Sequence, residues 1–127
     1  MDRMIAFARE HGYVETLLGR RRSVPEINSS VSFRREGAER VAINTPIQGT
    51  SADMIKCAMV RIHRIFAERG LRSRMILQVH DELVVETALD ELEEVRTIVT
   101  ENMIDAVPLD VPVTVDTGVG ADWAAAH

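Results

Sequence analysis

Aromatic residues make up only 4% of the 127, so aliphatic side chains have to fill the core, and platforms for stacking nucleobases are nearly absent. Cys57 is the single cysteine. An internal disulfide is therefore excluded, and its place on an apolar helical stripe reads as a small buried hydrophobe rather than a nucleophile. No apolar run approaches the roughly 20 residues a membrane-spanning helix needs. The first residues include Asp2, Arg3 and Glu10 and lack the continuous apolar centre of a secretory signal. These features point to a reducing, cytoplasmic setting. There is no internal repeat, low-complexity tract or glycine-rich phosphate loop, and His11, His63, His80 and His127 have no zinc-binding spacing.

With 46% hydrophobic and 28% charged residues, the chain has the composition of a folded protein with one domain-sized core. Its net charge of -5 conceals a division. Residues 1–80 hold 14 basic and 8 acidic side chains, net +6, whereas residues 81–127 hold 1 basic and 12 acidic, net -11. The first stretch is basic enough to face phosphate.

Apolar spacing predicts a short helix over Asp2 to His11, ended by Gly12. Tyr13 to Leu17 reads as a strand, Leu18 to Arg20 as a turn and Arg22 to Val24 as its partner, before a polar loop over Asn28 to Phe33. One helix is expected from Ser32 or Phe33 to Ile43. A second is expected from the Pro46 region to Glu68, with Thr45 as its cap and Gly70 beyond its end. Arg74 to Val79 and Leu83 to Glu86 read as two strands of a hairpin around His80, Asp81 and Glu82. A further helix follows over Leu89 to Ala106, capped by Thr87, and Val111 to Thr117 reads as a third strand with Pro112 at its start or on an edge. The fold class is α/β in the α+β sense: a small antiparallel sheet with a central hairpin, packed on helices.

Asp81 and Glu82 carry the chemistry this pattern suggests. Phosphoryl and nucleotidyl transfer need charge neutralised around phosphorus, and carboxylates supply oxygen ligands for the magnesium that does so. A bare Asp-Glu pair is common, and taken by itself it reads as a solvated turn. Arg40, Asn44 and Gln48 recur every four residues and would share a helix face, either merely solvated or offered to a ligand. Amide donors there suit the acceptors that every base pair shows in the minor groove. Arg20, Arg21 and Arg22 give the densest positive charge, either soluble surface or a contact for phosphate.

The segment Gln78-Val79-His80-Asp81-Glu82 resembles the third conserved motif of family A DNA polymerases, the bacterial DNA polymerase I group. Glu39 to Asp53, with Arg40, Asn44, Gln48 and Gly49, is similar to a second motif. The likeness extends from Gly12-Tyr13 through Arg20 to Arg22 and on to Gly118 and Trp123, in the family's order and spacing. It implies a partial palm subdomain at 36–127 and a partial fingers-side segment at 1–35. It also implies that Asp81 ligates metal, that Glu82 supports the metal site, and that His80 orients the primer end. Arg40, Asn44 and Gln48 would touch primer-template DNA, Arg20 to Arg22 would meet template backbone, Asp53 would tie down its helix, and Trp123 would serve packing.

The resemblance places the first catalytic Asp motif and the nucleotide-binding helix upstream of Met1. The intact parent is then expected to be a DNA-directed DNA polymerase using two Mg²⁺ ions, primer-template and deoxynucleoside triphosphates, and the chain alone to be inactive with weak Mg²⁺ binding. The alternative is a non-catalytic α/β binding or oligomerisation module, forming a homodimer or domain swap through an exposed sheet edge.

Overall fold

The computed structural model describes residues 2–127, which form two compact units divided between Asp53 and Met54. The fold is mixed, with three α-helices and two small antiparallel sheets, in agreement with the expected class.

In the first unit, α1 (Asp2–His11) stops at Gly12, whose φ of +76° suits a residue without Cβ and whose N–H donates to the Ala8 carbonyl at 2.8 Å. Strands β1 (Tyr13–Glu15) and β2 (Arg21–Ser23) pair antiparallel with Val14 opposite Arg22. Gly19, at φ +79°, turns the chain between them. A 3-10 turn at Pro25–Asn28 sets Ile27 into the core beside Ala8, Val14, Val24, Ala38 and Ala42. The last two belong to α2 (Ser32–Glu68).

That helix differs from expectation: it is a single element of 37 residues with Pro46 inside it, rather than two helices meeting at a capping Thr45. Proline withholds the N–H that would bond the carbonyl four residues back, at a cost of about 3 kcal/mol in a helix interior. The helix nevertheless runs through the proline, with Ala42, Thr45 and Thr50 buried on either side of it. Thr45 does not cap; its hydroxyl accepts from Arg22 Nη1 at 3.3 Å.

In the second unit α2 continues to Glu68, and Gly70 at φ +63° releases the chain. Strands β3 (Arg74–Val79) and β4 (Glu82–Glu86) pair antiparallel, with a register shift between Met75 and Leu77. Helix α3 (Leu92–Ile104) buries Val95 and Ile98 against Ala58, Ile62 and Phe66 of α2, with Met75, Leu83, Val85 and Cys57 at the margin. Cys57 is thus half-buried beside the core.

Two expectations fail here. Thr87 does not cap a helix, since its hydroxyl donates to the Val85 carbonyl and the helical run opens as a 3-10 turn at Leu89–Glu91. Glu91 turns back to take hydrogen bonds from Ser73 and Arg72. The third strand over Val111 to Thr117 is also absent: β3 and β4 pair only with each other among the described residues. Pro112 offers no ladder donor, and Val111 stays exposed. No described helix is long and apolar enough to cross a membrane.

Candidate functional site

Ladder pairing of Val79 with Glu82 leaves His80 and Asp81 as a two-residue connection at the hairpin tip. Such connections favour positive φ at the first corner, normally supplied by glycine. Here His80 takes it, at φ +52°, the one positive-φ residue other than glycine among those described. A non-glycine residue held there stores roughly 1–3 kcal/mol, an arrangement that recurs at working sites. The Gln78 side-chain amide donates to the His80 carbonyl and braces the corner. Asp81 projects from the tip, exposed to solvent.

Glu82 opens β4 and is also exposed, but it is held. His127 Nε2 lies 3.0 Å from its Oε1, and His127 Nδ1 lies 2.9 Å from the Trp123 carbonyl. The Trp123 carbonyl first, and then Glu82, raise the pKa of the imidazole above its ordinary value. Trp123, itself 45% exposed, meets the His127 ring edge-on at 5.7 Å, so its packing role is local.

In the first unit, Arg40, Asn44 and Gln48 fall at four-residue intervals on the unbroken α2 and are all exposed. None of the three uses its side chain in a hydrogen bond among the described residues. The three arginines are more constrained. Arg20 donates from Nε to Asp53 Oδ1 at 2.7 Å and from Nη2 to the Gly49 carbonyl at 3.1 Å. Arg21 donates to Glu15 at 2.6 Å and lies over the Tyr13 ring, 4.5 Å from its centre. Arg22 donates to Thr45. Each nonetheless remains solvent-exposed.

Gly49 shows why this motif needs glycine: a Cβ there would fall 2.6 Å from Thr16 Cγ2. The expected role of Asp53 in tying down α2 takes the form of its bond to Arg20. Sequence reasoning missed the pairing of His127 with Glu82, and a lone histidine 45 residues away gave no signal for it.

No group of three or more His, Cys, Asp or Glu side chains among the described residues is placed to hold a metal ion. A closed cage is not what Mg²⁺ requires, because it keeps waters and substrate phosphates and takes one or two carboxylates. The Asp81 and Glu82 tip fits such a partial set.

Residues 1–125 match the family model for DNA polymerase family A. The chain belongs to that family. Among curated relatives, the DNA polymerase I of Mycobacterium leprae is 52% identical over 121 residues, covering 94% of this chain and 13% of the relative. That of Pseudomonas aeruginosa is 50% identical over all 127 residues and 14% of its own length. The thermostable DNA polymerase I of Thermus thermophilus is 52% identical over 118 residues, 93% of this chain and 14% of that protein. The solved POL domain of Pol1 from M. smegmatis, in complex with DNA primer-template and dNTP, superposes with a TM-score of 0.96 at 49% identity, over 98% of this chain and 22% of that one. The chain thus spans 13–14% of the length of these curated relatives.

Proposed function

We propose that this chain is the C-terminal portion of a DNA-directed DNA polymerase, with a fingers-side segment over 1–35 and much of the palm over 36–127. The intact enzyme joins deoxynucleotides to a primer 3′ end in a cytoplasmic setting. The observation that carries this reading is Asp81, held exposed at a braced, strained hairpin tip in a chain whose residues 1–125 match the polymerase family.

In this reading Asp81 holds metal, Glu82 supports the metal site, and His80 orients the terminal primer nucleotide. Mg²⁺, two ions in the intact enzyme, supplies activation of the 3′ oxygen and charge neutralisation at the α-phosphate and the departing pyrophosphate. The free side chains of Arg40, Asn44 and Gln48 offer donors to minor-groove acceptors common to all base pairs, testing pair shape without reading sequence. Arg21 and Arg22, and the exposed part of Arg20, give phosphate contacts that position template and weaken as salt rises. Alone, the chain has too few carboxylates to place two metals, binds Mg²⁺ weakly and does not polymerise. The test is primer extension by a polymerase domain completed with the upstream residues of a relative, comparing wild type with Asp81→Asn.

A second reading, a homodimer or strand swap through the β3–β4 sheet, is favoured by the exposure of Ile76 and Leu77 on β3 and by the two-stranded ladder. Sedimentation of the isolated chain tests it: a single monomeric species at all concentrations removes it.

A further inference from the structure

The segment that carries His127 is built to fold back. Gly118 and Gly120 lie so close to the returning turn at Ala124–Ala126 that a Cβ on Gly118 would overlap the Ala126 carbonyl oxygen, and one on Gly120 would fall 2.5 Å from the Ala125 carbonyl carbon. Asp122 Oδ1 accepts from the Ala125 N–H at 2.8 Å and fixes the start of that turn. Trp123 then holds one ring nitrogen of His127 through its carbonyl and meets the ring edge with its indole. The other nitrogen is left against Glu82 Oε1. Each ring nitrogen therefore lies within hydrogen-bond distance of an acceptor, and Oε2 is the carboxylate oxygen not engaged by His127. Hydrogen bonds of this kind orient the groups that ligate metals and substrates.

We propose that His127 is a positioning residue for Glu82, delivered by the 118–127 fold-back, and that it sets the orientation of the carboxylate adjoining Asp81. The functional part rests on the polymerase reading above; the contact does not.

The first test is the carboxyl ¹³C resonance of Glu82 in the 127-residue chain. Replacement of His127 by Ala is expected to move it while leaving that of Glu86, which pairs with Arg74, in place. Gly118→Ala should reproduce the shift by displacing the turn. An unchanged Glu82 resonance in His127→Ala overturns the proposal.

The second readout is primer extension by the completed domain. His127→Ala should lower kcat by about tenfold with nucleotide KM unchanged, and His127→Gln, which keeps a donor, should restore part of it. Adding His127→Ala to Glu82→Gln should cause no further loss; additive losses overturn the coupling. If Asp81→Asn proves as active as wild type, the polymerase reading fails, and the carboxyl resonance alone supports or overturns the contact.

Discussion

Arg20 reaches 33 residues along the chain to Asp53, its Nε donating to Oδ1 at 2.7 Å while Nη2 donates to the Gly49 carbonyl. Asp53 is only 7% exposed, so its charge depends on the partners the fold provides. Arg20 is half-exposed, which moderates what the pair contributes. Removing the guanidinium in Arg20→Ala should cost roughly 1–3 kcal/mol, read as a lower urea midpoint. Arg20→Lys should not recover it, because one ammonium cannot reproduce the two-pronged contact. A midpoint unchanged in Arg20→Ala would mean that the bond contributes nothing to stability.

Gly49→Ala sets two effects against each other. Helix propensity alone would favour alanine by about 1 kcal/mol, whereas crowding of Thr16 Cγ2 at 2.6 Å costs about 1–3 kcal/mol. Crowding should win, giving a net loss on thermal melting. Adding Thr16→Ser, which removes the crowded methyl, should bring the melting temperature back; failure to do so would place the strain elsewhere.

The Glu91 carboxylate accepts from the Ser73 hydroxyl and from the backbone N–H groups of Arg72 and Ser73, and the pKa falls from 4.5 to about 2, the Ser73 hydroxyl being the largest cause. A depressed folded pKa stabilises the fold above the unfolded value, and the effect disappears as pH drops through the folded one. Wild type should therefore lose its stability advantage over Glu91→Gln between pH 4.5 and about 2. Parallel urea midpoints for the two proteins across that window would contradict this.

His80 carries a backbone conformation that glycine adopts freely. His80→Gly should relax the turn by roughly 1 kcal/mol, seen as slower amide exchange in β3 and β4, and should nevertheless reduce primer extension in the completed domain. A variant as active as wild type would make the histidine a turn residue only.

Much of the fold could be read from the sequence where one local signal was decisive. Gly12 and Gly70 marked helix ends, and the apolar runs flanking His80 to Glu82 marked the hairpin. Pro46 misled, because a proline normally divides helices, whereas α2 continues through it between the buried Ala42, Thr45 and Thr50. The β-branched run at Val111 to Thr117 misled in the opposite sense: strand propensity needs a ladder to join, and β3 and β4 pair only with each other among the described residues. Thr87 had the sequence of a cap, but Glu91 turns back to Ser73 and Arg72, which spacing does not reveal. At the candidate site the regular i, i+4 spacing of Arg40, Asn44 and Gln48 was legible. The contacts of Arg20 with Asp53 and of His127 with Glu82 were not, since each joins residues more than 30 positions apart.

The most direct test of the central claim is single-nucleotide incorporation by the completed polymerase domain carrying Asp81→Asn. Loss of the carboxylate charge should reduce kcat by at least about a hundredfold, in line with removal of a group that stabilises transition-state charge, while primer-template affinity stays near that of wild type. Equal incorporation rates for the two proteins would contradict the account.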